Sequence, residues 1–461
     1  MSCLALKSSG GTCVEFSNNA DEDRAIADNL EALWMPFTHN RLFKKKPRLI
    51  EKASGMYYET SDGRKVLDGI SGLWCSNVGH NHPKISEAVK SQLDVLDFSP
   101  PFQVGHGLGF ELANELIKVA PESINHVFFT NSGSEACDTA MKIALAYYQG
   151  LGEDRRYRFI GREKGYHGVG FGGISVGGID ANRKHYQKAL LPDTKHICHT
   201  HNLSEMAFSK GQPRWGAHLA DDLEELLKGN AASEVAGVIV EPMQGSAGVI
   251  VPPDGYLEKI RAICDRHNVL LIFDEVITGF GRLGEWFSPD RFGVVPDMIT
   301  FAKGVTNGVI PLGGVLVNDQ VFQSIMVGPE HLVEFFHGYT YSGHPLACAA
   351  GIAAMEVYRD EDLLPKARRL EQELEHQIHT LQSEPHVVDI RNLGMACAVE
   401  FSSKPNQPSV RAMEIFQKCF ERGLMIRYTG DIIAIGPALV ASAKEIEFII
   451  ETIREVVRDL A

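Results

Sequence analysis

Along the middle of this chain, short apolar runs alternate with stretches of helical spacing. HVFFT (126–130), RYRFIG (156–161), VAGVIVEP (235–242), VLLIFDE (269–275) and DMITFAKG (297–304) are β-rich and nearly continuous in apolar character, and the segments between them carry helical periodicity. Strands without polar alternation are those buried on both faces. The pattern therefore predicts an α/β fold built on a large, mostly parallel sheet covered by helices. In such sheets ligands gather at the carboxyl ends of the strands.

The flanks read differently. GMYYETSDGRKVLDG (55–69) alternates and turns at Ser61-Asp62-Gly63, which predicts a β-hairpin. Ahead of it, a short helix over 25–33 leads into LWMPFTHNRLFKKKP, a loop broken by Pro36 and Pro47. After Pro345 come a helix rich in small residues (346–358), a charged helix (366–381), and short strands near MACAVEF, LMIRY and DIIAIGP. The last helix carries Ile446, Ile449, Ile450, Ile453, Val456, Val457 and Leu460 on one face, and Ser442 with Glu445 forms a capping box. The expected division is a disordered lead (1–24), the N-terminal part of a smaller α+β domain (25–84), the large sheet domain (85–345), and the C-terminal part of the smaller domain (346–461).

A chain of 461 residues with 44% hydrophobic and 23% charged positions is long enough for two to three globular domains. Its formal net charge of -14 argues against non-specific nucleic-acid binding, which needs a basic face. Nine cysteines, with no CxxC spacing, suggest neither a disulfide framework nor a zinc ribbon and fit a reducing cytoplasm. No apolar run approaches the length of a transmembrane helix, and the first residues lack the continuous apolar core of a signal peptide.

Two polar residues stand where strands end: Asp274 closes one apolar run, and Lys303 follows another. Either charge is expensive to bury alone. A pyridoxal phosphate site needs this pair, a lysine to form a Schiff base and a carboxylate to keep the pyridine nitrogen protonated. Isolated, the two would read as a helix cap and a surface lysine. A third element supports them: FFTNSGSEA passes from strand to helix through Gly133 and Ser134, and free N–H groups at a helix start attract phosphate.

Three other motifs point elsewhere and are set aside. Gly168, Gly170 and Gly173 satisfy GxGxxG without the strand, helix and distal acid of a dinucleotide site. GISVG (173–177) matches a nucleophile elbow without its strand-turn-helix context. His196, Cys198, His199 and His201 lack a second ligand group, so no metal is expected.

LWMPFT, DGISGLWC, FFTNSGSEA, GYHGVGFGG, VEPMQGSAGV, IFDEVITGFGR, FAKGV and HGYTYSGHPLA together resemble the class III, or ω-, aminotransferases, pyridoxal-phosphate enzymes of fold type I. The likeness spans nearly the whole chain. LWMPFT, GREKGYHGVGFGG, and HTH with GQPRWGAHLA are most similar to members acting on β-alanine or other ω-amino acids and pyruvate. The resemblance implies Lys303 as the Schiff-base lysine and Asp274 as the pyridinium partner. It implies Val276 and Tyr166 on the two ring faces, with His167 beside Tyr166 and Glu241 on the lysine side. Gly133 and Ser134 would bind the phosphate, joined by Thr340 from the neighbouring subunit of a homodimer, itself able to pair into a tetramer. Trp74 and Phe37 would wall the substrate pocket, and Arg427 would hold the substrate carboxylate.

One position departs. Relatives of the β-alanine type often carry a glutamine seven residues after the arginine, where this chain has Ala434. That leaves taurine, diamines and aromatic amines open as donors. On the same fold an aminomutase or decarboxylase is the rival chemistry, and a non-catalytic dimeric binding protein the rival class.

Overall fold

The computed structural model describes residues 30–461, so the expected lead and most of the helix over 25–33 lie outside the described residues. Contacts divide the chain into two compact units, 1–52 with 59–64, and 53–58 with 65–461. In the first unit, a helix spans Asn40–Lys45. The Asn40 side chain holds the chain before it, accepting from the Met35 N–H and donating to the Met35 carbonyl, both at 2.9 Å. Phe37 belongs to this unit and is 71% exposed. The hairpin turn is closed by the Thr60 N–H donating to Arg64 O, with Gly63 at a φ of 79°.

The second unit is built on a seven-stranded sheet. In chain order its strands are β1 (Ile124–Thr130), β2 (Arg158–Arg162), β3 (Lys195–Ile197), β4 (Val235–Val240), β5 (Leu270–Asp274), β6 (Met298–Phe301) and β7 (Gly313–Asn318). Their spatial order is β1-β7-β6-β5-β4-β2-β3. The pairings from β3 through β6 are parallel, while β7 runs antiparallel to both β6 and β1. The five apolar runs are all strands, and β3 and β7 are additions. Both hide from a pattern search: β3 has three residues, and β7 opens on Gly313-Gly314, which lowers its strand signal.

Helices cover both faces, as strands without polar alternation require. Leu270, Ile272, Met298 and Val315 share one core with helix α1 (Gly133–Gly150), whose Ala136, Ala140, Ile143, Ala144 and Tyr147 recur at helical spacing. Leu271, Phe273, Ile299 and Leu316 face the other way, into a core that includes Leu257 and Ile260 of α2 (Tyr256–His267).

A second sheet holds β8 (Val387–Leu393), β9 (Ala396–Phe401), β10 (Arg427–Thr429) and β11 (Ile432–Ile435), antiparallel in the order β8-β9-β11-β10. Its register aligns Arg391 with Ala398, Ala398 with Ala434, and Ala434 with Arg427. Directly paired residues of a sheet point to the same face, so these four form one row. Helix α3 (Ala443–Asp459) follows, with the expected apolar face buried and the Ser442–Glu445 capping box formed.

The segment after the hairpin is less regular. The Asp68 N–H donates to Met56 O at 2.8 Å, and Leu67 and Asp68 pair in parallel with Leu424 and Met425. The chain then enters a left-handed turn: φ is 43° at Ser71, 56° at Gly72, 65° at Leu73 and 67° at Trp74. Left-handed backbone costs about 1–2 kcal/mol at each non-glycine residue, so three of these four positions are held against their preference. No helix among the described residues is long and apolar enough to cross a membrane.

Candidate active site

The carboxyl ends of β4, β5 and β6 converge on one cleft, lined by Gly133, Ser134, Tyr166, His167, Gly168, Glu241, Asp274, Val276, Ile277 and Lys303. Eight of these are the residues singled out in the sequence. Gly168 and Ile277 are additions; Gly168 sits at a φ of 93°, where a Cβ would fall 2.4 Å from Ser134 Oγ.

Asp274 ends β5 with its carboxylate 5% exposed and four donors around it. Oδ1 accepts from Thr300 Oγ1 at 3.1 Å and the Val276 N–H at 3.2 Å. Oδ2 accepts from Cys137 Sγ at 3.3 Å and lies 2.8 Å from His167 Nδ1. Burial alone would raise this carboxyl, but the His167 contact and the other donors outweigh it and hold the group below its ordinary value. Cys137 and Thr300 were not legible as partners of Asp274, because nothing in their own motifs marks a contact made across the sheet.

Lys303 follows β6 at a φ of 51° and starts a short 3-10 turn. A non-glycine residue in this region is strained, and such strain gathers at functional sites. Burial pushes the amine below its ordinary value, against the opposing pull of Cys75, Asp274 and Glu241. Glu241 follows β4, 4% exposed, with Oε1 accepting from the Tyr166 N–H at 2.9 Å and Oε2 from the Gly245 N–H at 3.0 Å. Its burial pushes it up to about 7.

Gly133 and Ser134 open α1, where the first N–H groups have no intrahelical acceptor. Ser132 caps the helix, and a Cβ on Gly133 would press to 2.9 Å from both methyls of Val276. A pyridoxal phosphate group fits what these residues offer. There is an anion-seeking helix start for its phosphate, an ionised carboxylate for its ring nitrogen, and a lysine amine of lowered basicity. The buried Nε2 of His167 has no hydrogen-bond partner, which leaves a polar atom free beside the same carboxylate.

Arg427 starts β10, half-buried, with its basicity lowered by burial and opposed by Tyr166. Its guanidinium makes no hydrogen bond or ion pair among the described residues. Ala434, 2% exposed, stands directly beside it in the register. Trp74 is 4% exposed under the Arg282 guanidinium, 5.3 Å away, and does not line the cleft. Thr340 lies exposed in a loop and does not line it either. Phe37 lies in the other unit.

The motifs set aside have other roles. Ser175 of GISVG is buried inside a helix and donates to Phe171 O. His196 Nε2 bonds Gly177 O, Cys198 Sγ donates to Leu219 O, and His201 Nε2 pairs with Glu400 at 3.0 Å.

Known proteins agree with this geometry. The aminotransferase class-III family matches residues 40–457. An omega-aminotransferase of Caulobacter vibrioides is 53% identical, covering 93% of this chain and 98% of its own. A beta-alanine–pyruvate aminotransferase of Pseudomonas aeruginosa is 45% identical, covering 94% and 97%. The solved omega transaminase of Pseudomonas jessenii in complex with PMP superposes with a TM-score of 0.89 at 31% identity, covering 94% and 97%. With fold type I architecture and a pyridoxal phosphate site in hand, the chain belongs to the class-III aminotransferases.

Proposed function

We propose that this protein moves an amino group from an ω-amino acid, β-alanine foremost, to pyruvate, giving the oxo acid and L-alanine. The observation that carries the substrate reading is Arg427. It is half-buried, free of any ion pair among the described residues, and coupled electrostatically to Tyr166 and Lys303. A planar guanidinium binds a carboxylate in two-pronged fashion and so orients the amine at the other end of the donor. The 53% and 45% identical relatives, an omega-aminotransferase and a beta-alanine–pyruvate aminotransferase, support the same reading.

In this reading Lys303 and Asp274 are catalytic. Gly133 and Ser134 bind the phosphate, with Thr340 of a second copy reaching the same group. Val276 and Tyr166 sandwich the ring, while His167 and Glu241 fix the charge around it. Bound there, pyridoxal phosphate supplies a ring that accepts electrons from the carbon bearing the amine. Asp274 would keep a proton on the ring nitrogen, and Lys303, its basicity lowered by burial, would accept and return a proton at Nζ.

A homodimer with shared sites belongs to the proposal, with a tetramer as its further pairing. The exposure of the large apolar side chains Phe102, Phe110 and Phe336 supports it, since a second copy would take them out of water. The division at 84/85 and 345/346 belongs to the proposal as well: the middle segment holds the whole seven-stranded sheet and the last segment the whole antiparallel second sheet. So does a cytoplasmic home, which suits the free thiols among the described residues.

Ala434 favours a second reading, in which the space beside Arg427 admits taurine, a diamine or an aromatic amine. The test is a donor panel against pyruvate with the cofactor-loaded protein, scored by alanine. β-Alanine should rank first; alanine from none of the donors overturns the proposal, and turnover without any keto acid would favour an aminomutase or decarboxylase.

A further inference from the structure

Asp274 meets the cofactor with no acceptor position to spare. A carboxylate offers about four lone-pair positions, two on each oxygen, and the protein alone fills them all. Oδ1 accepts from Thr300 Oγ1 and the Val276 N–H, while Oδ2 faces His167 Nδ1 and accepts from Cys137 Sγ. A protonated ring nitrogen needs one of these positions, so one protein donor has to give way.

Three of the four donors are held in place. The Val276 N–H is backbone, and the chain before it is tied down where the Glu275 N–H donates to Thr300 O at 2.9 Å. Thr300 stands directly opposite Asp274 in the pairing of β5 with β6, fully buried, its hydroxyl 3.1 Å from Oδ1. His167, also buried, makes the shortest of the four contacts, at 2.8 Å.

Cys137 differs from these three. It lies on α1, one turn in from Gly133, and is 1% exposed. Its 3.3 Å contact is the longest, and a thiol is a weak donor. It also has a second acceptor within reach. Thr300 Oγ1 is 3.7 Å from the same sulfur, and that hydroxyl, having given its proton to Oδ1, keeps lone pairs to accept with. Burial, and after it the Asp274 carboxylate, push the thiol well above its ordinary value, so the sulfur keeps its proton and remains a donor. Rotation about the Cβ–Sγ bond moves that proton from one acceptor to the other while the sulfur stays where it is. The series that results, thiol to Thr300 hydroxyl to Oδ1, strengthens the bond Thr300 already makes, because hydrogen bonds in a chain polarise one another.

With Asp274 read as the partner of the cofactor's ring nitrogen, we propose that Cys137 is a positioning residue with a displaceable proton: its S–H holds Oδ2 in the cofactor-free protein and turns to Thr300 Oγ1 when pyridoxal phosphate binds. The buried carboxylate is then never short of donors, and no strong bond is broken to admit the ring. Alanine at this position would leave one acceptor position open for the ring in advance. Serine would occupy it with a stronger donor.

The test uses the full chain, cofactor-free and loaded. Infrared spectra of wild type minus C137S isolate the Cys137 S–H stretch from those of the other cysteines. A bond to a carboxylate lowers that frequency more than a bond to a hydroxyl, so the band should move upward on loading; a band that stays put overturns the proposal. Equilibrium dialysis against pyridoxal phosphate gives the second readout. C137S should bind about tenfold more weakly than wild type, the difference between a weak and a strong donor at a charged acceptor. C137A should bind at least as tightly as wild type. Weaker binding by C137A, the mark of a merely structural cysteine, or wild-type binding by C137S overturns the proposal. Should C137A fail to fold, C137S decides through both readouts. Asp274→Asn separates this proposal from the reading beneath it. Wild-type cofactor affinity in that variant refutes Asp274 as the ring's partner and takes the proposal with it, whereas weakened affinity together with an unmoved S–H band leaves Asp274 in its role and overturns the role of Cys137 alone.

Discussion

Asp274 and Arg427 are satisfied in opposite ways. The carboxylate is surrounded by four protein donors, whereas the guanidinium has no hydrogen-bonded or ion-paired partner among the described residues. A buried charge is tolerated when it is partnered, so the cofactor end of the site is complete as protein alone. The substrate end carries a charge whose natural complement arrives with the donor. The contrast separates what fixes the reaction from what selects the substrate.

The largest effect should come from the cofactor end. Lys303→Ala should reduce alanine formation from β-alanine and pyruvate by about 10³-fold or more, since it removes both the covalent anchor and the proton carrier; steady-state rates measure it, and near-native turnover would break the assignment. Next is Glu241. Its protonation is favoured in the fold, so that contribution to stability is complete below the ordinary carboxyl value and is lost as pH rises through about 7. Glu241→Gln should therefore remove from that window a loss of unfolding free energy on the order of 3 kcal/mol, read from denaturant unfolding at a series of pH values. Glu275, also pushed up to about 7, titrates in the same range and stays in both proteins.

At the substrate end, Arg427→Ala should raise the KM for β-alanine by roughly 10- to 100-fold, the value of a charge-assisted hydrogen bond. Amines without a carboxylate should keep theirs. Equal losses for both donor types would erase the distinction between the two ends. The smallest change is Ala434→Gln, which sets an amide on the same sheet face as Arg427 and should sharpen preference for carboxylate donors by under about tenfold, read from kcat/KM ratios.

Much of this was legible in the sequence, for definite reasons. Apolar runs mark strands buried on both faces, and the strand ends located Asp274 and Lys303 before any coordinates, while Glu241 entered only through the family resemblance. What was hidden was either short, glycine-led or non-local. β7 begins with two glycines because a Cβ at Gly313 would strike Ser132 O at 2.6 Å, the capping residue of α1; a site requirement thus masked a strand. The turn at Ser71–Trp74 escaped because side-chain periodicity carries no information about the sign of φ. Cys137 touches Asp274 through the packing of α1 on the sheet and Thr300 through the pairing of β6 with β5, both of which only the fold supplies. Trp74, read as a pocket wall, lies instead beneath Arg282, where a Cβ at Gly436 would come within 2.1 Å of its ring.

The parallel pairing of Leu67 with Leu424 joins residues from near opposite ends of the chain. Contacts this distant in sequence form late, because the loop between them must be closed before they give anything back. During synthesis, the strand that leads into Asp68 therefore waits for its partner until almost the whole polypeptide has emerged. The seven-stranded sheet can assemble well before that. A chain stopped short of Leu424 would hold every residue of the cofactor cleft and still lack the strand that braces the approach to the Ser71 turn.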